Sequence, residues 1–412
     1  MPTRPLNVLW LIDHVCWDGS LHGGGRLFYN LLPEFDPQRV RVFPYFLRAS
    51  DEVRRVFADA PVPVTVLDKA KYDPTALLTL AAICRRHSID VMHLFCYASS
   101  TFGRMVGTVL RIPTVIHDFD TQIYFAYPLY LKVADRLLSA GTGAAIAASP
   151  MCRSYMREVR QVPAGRIELM PHAVPEEKFL PAGTRDEARR ALGWESDTVV
   201  FCAVTKLGPD RGNEILLRAF ARVVAERPQA RLVLVYKPTY YHRVPESYAA
   251  IPWIHDTAYM RAEIQKLADE LDLGSRVQFV ESLDHPDTYV VASDVTVVPF
   301  EEERFSSVHL LESCARGRPA IATDLGEQRE VIQHERSGLL VPPRDEASLA
   351  AAMLRLVDDP ATRARLGEGA AARAQEFRVG AVAGRLADLY ADLVAGRPRV
   401  AASGLGHRGA GC

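Results

Sequence analysis

The chain has 412 residues, 48% of them hydrophobic and 24% charged, with a formal net charge of −1. That length exceeds one ordinary core and suits two. The near-neutral balance excludes a global electrostatic case for nucleic acid or an anionic membrane surface as the main partner, so any anion site must be local. Arginine (42) far outnumbers lysine (7), which we read as a mark of GC-rich coding rather than of function.

In chain order, the first apolar run ends at Asp13 after about six residues. It is too short for a signal sequence and reads as a buried first strand. Short apolar runs at 7–12, 40–45, 62–66, 91–94, 114–117 and 143–148 alternate with helical patterns such as 26–32 and 74–86. Such alternation predicts parallel βαβ units with right-handed crossovers. A seam rich in charge, Pro and Gly follows near 175–195, and a second series starts with strands at 199–204, 231–236, 277–280, 295–299 and 320–323. The expected organisation is α/β, with two Rossmann-like domains at 1–180 and 196–375 and a linker at 181–195. A helix at 376–395 returns to the first domain, and the tail at 396–412 lacks periodicity. Helix 128–140 reads either as a membrane-surface helix or as an ordinary packing helix; the second is favoured because its polar face is not rich in basic residues. The aromatic segment 237–260 follows a strand end and reads equally as a ligand wall or as a self-packed surface loop. No apolar run approaches the roughly 18 residues of a membrane span. The seven cysteines, at 16, 84, 96, 152, 202, 314 and 412, are scattered and form no CxxC pair. They argue against a disulfide framework or zinc site and fit a reducing cytoplasm.

Several residues stand where α/β folds place chemistry. Glycines 23–25, including Gly24 and Gly25, follow the first strand and precede a helix, where backbone approaches an anion closely. The dinucleotide pattern GxGxxG is absent there. His117 and Asp118 end an apolar strand (TVIHDFD). A histidine there either bonds a ligand or stabilises developing charge, or is a strand-end residue bonded to backbone. His93 is a similar case, with a satisfied core histidine as the equal alternative. Lys206 and Arg211, in VTKLGPDRGNEILLRAF, are two cations before a helix, suited to a diphosphate. Downstream, an apolar strand runs into Glu301, Glu302 and Glu303. A turn at Ser306 and Ser307 then opens a helix that carries Glu312.

These motifs resemble, over nearly the whole chain, retaining GT-B glycosyltransferases of family 4. The glycine loop, the His-Asp pair at 117–118 and MPHAVPEEKF at 170–179 (for IPNGVDxxxF) are in register with the family. So are the Lys206/Arg211 pair (for GRLxxxKGxxxLLxAF) and the 299–345 block. The resemblance implies two Rossmann-like domains facing across a cleft, with the donor on the C-terminal side and the acceptor on the N-terminal side. It implies a nucleotide-diphosphate sugar as donor, a small-molecule or saccharide acceptor, and transfer with retention and without metal or other cofactor. A nucleotide-sugar epimerase and a non-catalytic nucleotide-binding protein are the alternatives, and a homodimer stays open. In residue terms, His117, Lys206 and Arg211 would be catalytic, and Asp118 and His93 would meet the acceptor. Gly24, Gly25, Glu303, Arg304, Ser307, Val308 and Glu312 would meet the donor, with Glu312 on the ribose and the Ser307 and Val308 amides on the β-phosphate. Glu281 would accept from the guanine edge, tilting the donor towards GDP-sugars over UDP-sugars. The sequence departs from the family in the types of the cation pair, Lys206 then Arg211 where the family has Arg then Lys, and in its glutamate pair. At the family's spacing, with seven residues between the pair, the position before Glu312 is held by Arg304, not by the first glutamate. Glu303 would replace it through a one-residue bulge, and otherwise the donor is an unusual sugar.

Overall fold

The computed structural model describes residues 4–13, 16–17, 20–21, 23–58, 60, 62–70, 73–118, 129–179, 183–236, 256–281, 286–303 and 308–397. Arg304, Ser307 and most of the 237–260 segment and of the 396–412 tail lie outside the described residues. The chain divides into two units, Met1–Ala173 with Phe377–Cys412, and Val174–Glu376.

The first unit holds the strands β1 (Leu6–Ile12), β4 (Val40–Phe46), β5 (Thr65–Val66), β6 (Val91–Phe95), β7 (Thr114–Asp118), β8 (Ala144–Ala147) and β9 (Ile167–Leu169); β2 (Cys16–Trp17) and β3 (Ser20–Leu21) form a small antiparallel ladder. The large sheet is parallel and runs β5-β4-β1-β6-β7-β8-β9. The second unit holds β10 (Val200–Thr205), β11 (Arg231–Tyr236), β12 (Val277–Glu281), β13 (Val295–Val298), β14 (Ala320–Thr323) and β15 (Gly338–Val341), in the parallel order β12-β11-β10-β13-β14-β15. In both sheets the order reverses once, between β1 and β6 and between β10 and β13. Strands buried on both faces read as continuous apolar runs, which is why most of them are legible in sequence. The short edge strands β9 and β15 were not expected; three or four residues carry no usable period.

Cross-strand partners Trp10 and His93 point into a core shared with Phe28, Phe46, Phe95 and Tyr390, all essentially buried. Tyr390 comes from the helix Val379–Val394, which packs its Val382, Leu386 and Leu389 into the same core. The expected linker 181–195 is instead structured. Helix Arg185–Leu192 has a Thr184/Glu187 capping box and ends at Gly193 in the left-handed region. Its Arg189 reaches Asp294 at 2.6 Å, tying it to the second unit.

Helix Leu129–Ser139 also differs from the expected packing helix. Leu129, Tyr130, Val133 and Leu137 are exposed, while Asp135 and Ser139 are buried. The inward face is polar because it serves an ion cluster. Arg160 binds Asp118 at 2.6 Å and Asp135 at 3.1 Å, and Arg104 also pairs with Asp135.

Candidate active site

In open α/β sheets ligands bind outside the carboxyl ends of the strands at the point where strand order reverses. In the second unit that point lies between β10 and β13, and the predicted residues gather on both sides of it. The turn after β10 runs from Lys206 through a 3-10 turn, Pro209–Arg211, to Gly212. Gly212 has φ +67°, and a Cβ there would lie 1.8 Å from the Pro299 carbonyl oxygen, so only glycine lets this turn close against the end of β13. The Glu301 amide donates to the Asp210 carbonyl at 3.1 Å, and the Arg211 guanidinium stacks 4.7 Å from the Phe300 ring centroid. The two loops are thus bound to each other at the switch point. Arg211 does not stand in solvent. It is buried, with its Nε 3.4 Å from Asp210, because stacking and pairing replace water around a weakly hydrated guanidinium. Lys206 is half-buried, and its carbonyl accepts from the Asn213 side-chain amide at 2.9 Å.

Beyond β13, the Glu303 side chain lies against Gly326 at the start of helix Gly326–Val331. A Cβ on Gly326 would sit 2.5 Å from the Glu303 Cγ. Glu303 therefore approaches the carboxyl end of β14, next to that of β13. Helix Val308–Ala315 follows, with Val308 at its first position and Glu312 buried one turn in. Glu312 is not a surface glutamate. Its Oε2 lies 3.1 Å from the His309 Nδ1, and its Oε1 lies 3.7 Å from the Lys178 Nζ, which also holds Asp287 at 2.6 Å. Sequence reasoning missed Lys178 as part of this cluster. The signal was there in PEEKF, but its partners are more than a hundred residues away. Glu281 ends the edge strand β12, two strands from the switch point, where it is exposed and accepts from the Tyr236 hydroxyl at 3.3 Å.

In the first unit the reversal lies between β1 and β6. Asp13, at the end of β1, accepts from the Ala98 and Ser99 amides at 2.8 and 2.5 Å, capping helix Tyr97–Leu110 across the switch point. Burial pushes the Asp13 carboxyl above its ordinary range, against those amide bonds. Between them Cys96 holds φ 67° and ψ −176°, a conformation natural only to glycine, and such strain persists only where surrounding bonds over-determine it. Asp13 and Cys96 were both missed, since neither carries a motif. Gly24 and Gly25 do not precede the following helix as expected. They lie in its first turn, Gly23–Leu31.

His117 is buried at the end of β7, 3.2 Å from His93. Burial first, then His93 and His172, lower its pKa well below the ordinary value, so the ring is neutral. His93 is not placed to meet an acceptor. Its Nδ1 lies 2.5 Å from the Tyr390 hydroxyl and its Nε2 faces His117, so both nitrogens are committed inside the core. Asp118, also expected at the acceptor, is buried and ion-paired to Arg160. Among the described residues no cluster of three or more His, Cys, Asp or Glu is arranged to hold a metal ion, and no helix is long and apolar enough to cross a membrane.

Two parallel Rossmann-like sheets, one with a glycine-closed cationic turn facing a carboxylate-bearing helix across its switch point, define the GT-B class of nucleotide-sugar enzymes. Solved structures share the fold. Anabaena HepE in complex with UDP superposes with a TM-score of 0.75 at 16% identity, covering 94% of this chain and all of that one. WaaG, a glycosyltransferase involved in lipopolysaccharide biosynthesis, gives 0.60 at 15% identity over 93% of this chain and 99% of its own. Residues 184–373 match the model of glycosyl transferases group 1, and residues 21–178 that of glycosyltransferase family 4. The chain belongs to this group 1, family 4 glycosyltransferase family. Among curated relatives, the D-inositol 3-phosphate glycosyltransferase of Thermomonospora curvata is 30% identical over 319 residues, which are 73% of this chain and 71% of that one. The Thermobispora bispora enzyme of the same name is 32% identical over 238 residues, 57% of this chain and 52% of the relative. In that match, as in that with the Corynebacterium glutamicum relative, the chain spans about half the relative's length.

Proposed function

We propose that this protein is a retaining, metal-independent glycosyltransferase moving a sugar from a nucleoside-diphosphate donor to a small hydroxylated acceptor. The observation that carries the reading is the junction of three loops at the second unit's switch point. There Gly212 closes against Pro299, Arg211 stacks on Phe300, and Glu303 lies against Gly326. Lys206 and Arg211 are assigned to the diphosphate, together with the amide of Val308 at its helix start. Glu312, pre-oriented by Lys178 and His309, is assigned to the ribose hydroxyls. Ser307 and Arg304 belong to the same assignment by their place in the motif. Glu303 takes the part of the missing first glutamate on the donor sugar. As the bond to the anomeric carbon breaks, negative charge grows on the leaving phosphate, and two fixed cations favour that state over the ground state. The departing diphosphate then accepts the acceptor's proton. His117, neutral and at a strand end, is assigned to a sugar hydroxyl. A cytoplasmic setting belongs to the same proposal, since Cys84, Cys202 and Cys314 are buried free thiols.

The test incubates the protein with UDP- and GDP-sugars and an acceptor panel headed by inositol phosphate, on the strength of the relatives' name. Acceptor-dependent release of nucleoside diphosphate, undiminished by EDTA and giving an anomeric configuration equal to the donor's, is the expected result. Sugar conversion without acceptor would point to an epimerase, and a strict need for Mg2+ would sink the metal-independent mechanism. For the base, Glu281 favours GDP. A thermal-shift comparison should show GDP stabilising more than UDP, with the difference lost in Glu281→Ala; stronger stabilisation by UDP would remove Glu281 from base recognition.

A further inference from the structure

The first unit contains a line of polar groups that runs through its apolar core and ends on His117. Trp10 Nε1 lies 3.0 Å from the Tyr390 hydroxyl, that hydroxyl 2.5 Å from His93 Nδ1, and His93 Nε2 3.2 Å from His117 Nδ1. All four side chains are essentially buried. The two imidazoles lie edge to edge, their planes within 11° and their centroids 5.3 Å apart, as an N–H···N bond requires, and Phe95 covers His93 with ring centroids 4.3 Å apart. The line joins β1, β6 and β7 to the helix Val379–Val394, so the C-terminal helix reaches the strand end that carries His117.

Proton counting gives this line a direction. An indole N–H only donates, so the Tyr390 oxygen accepts from Trp10. The hydroxyl's own proton has one acceptor among the described residues, His93 Nδ1. If His93 instead carried its proton on Nδ1, the buried Tyr390 O–H would have no acceptor, which disfavours that arrangement. His93 therefore bears its proton on Nε2 and donates to His117 Nδ1. A neutral imidazole has one N–H, so His117 bears its own on Nε2. Burial brings His93 down to about 3, and it also lowers His117, which agrees with two neutral rings.

We propose that Tyr390 and His93 are positioning residues that lock His117 into the Nε2–H tautomer, making it a hydrogen-bond donor and not a base. The part concerning a sugar hydroxyl rests on the assignment of His117 given above. A donor held in one tautomer favours an oxygen that gains negative charge and is unfit to deprotonate an acceptor, consistent with the leaving diphosphate taking that proton.

The test is 15N ring spectroscopy of histidines in the full-length protein between about pH 6 and 8, with turnover measured in parallel. Wild type should show His93 and His117 neutral, with bare Nδ1 and protonated Nε2. Tyr390→Phe removes only the hydroxyl and should shift His117 to a mixture of tautomers, with kcat falling by roughly 10-fold or more and the donor KM changing less than about three-fold. His93→Gln can still accept from Tyr390 and donate to His117, so it should keep the His117 tautomer and recover most of the turnover lost in His93→Leu. A wild-type His117 protonated at Nδ1, or a folded Tyr390→Phe whose His117 signals do not move, overturns the proposal. Should Tyr390→Phe not fold, the contrast of His93→Gln with His93→Leu decides in the same way. Unimpaired transfer by His117→Ala would refute only the sugar-hydroxyl assignment, because the relay is judged on the ring spectra.

Discussion

At the scale of single residues, burial separates two cations that look alike in sequence. Lys206 is half-buried, so Lys206→Ala should keep its thermal transition while turnover drops by roughly 100-fold, the usual cost of removing a fixed stabiliser of developing charge. Turnover within a few-fold of wild type would displace the phosphate clasp from this turn. Arg211 is buried beside Asp210 and on Phe300, so Arg211→Ala also removes a packing and pairing partner from the fold, and its loss of turnover would be confounded with a loss of stability. Glu312→Ala should weaken nucleoside diphosphate binding by roughly 10- to 150-fold, the equivalent of a charged hydrogen bond of about 1.5–3 kcal/mol. Calorimetry with the free diphosphate reads this directly, and unchanged affinity takes Glu312 out of the ribose site. The sequence makes Lys206, Arg211 and Glu312 legible because each sits at a fixed spacing from a Gly-terminated turn or a helix start. It hides their surroundings. Lys178 orients Glu312 from a different segment, and His93 looks the same in sequence whether it serves a ligand or the core.

Elements show the same limit. Strand–helix alternation reports the layers of both units, because a buried parallel strand needs an unbroken apolar run. Helix Leu129–Ser139 defeats that logic, as its buried face is chosen for charge and not for hydropathy. Asp135 on this helix sits between Arg104 and Arg160. Burial alone would raise its carboxyl, but the two guanidiniums outweigh burial and hold it below the ordinary value. A carboxyl depressed in the folded state contributes stability above its unfolded value, near about 3.9. That contribution is lost as pH falls through the lower folded value. Asp135→Asn should therefore destabilise the protein at pH 7 by about 3–5 kcal/mol, leaving two buried cations under-compensated. The deficit should narrow on acidification below about pH 4, which urea unfolding across pH would reveal. A deficit that stays constant down to about pH 2 would mean that the cluster is not titrating in this way.

At the scale of the whole molecule, the chain leaves its first unit near Ala173 and returns to it at Phe377. The first unit's core is therefore completed by the helix Val379–Val394, more than two hundred residues after the rest of that core. Val382, Leu386, Leu389 and Tyr390 are all buried there. At about 1.5–3 kcal/mol for each side chain the helix contributes roughly 6–12 kcal/mol, comparable with the entire stability of an ordinary domain, about 5–15 kcal/mol. A chain ending at Glu376 should thus lose the first unit and keep the second, whose own core draws on Leu216, Phe220, Val297, Met353 and Leu366. Hydrogen exchange should show amides of β1, β6 and β7 unprotected, while those of β10 and β13 keep full-length protection. Nucleoside diphosphate binding should survive with transfer abolished, since every group assigned to the diphosphate and ribose lies between Lys178 and Glu312. Retained protection in β1 and β6 would show that the first unit stands without its returning helix. Loss of diphosphate binding would show that the second unit does not form its site alone.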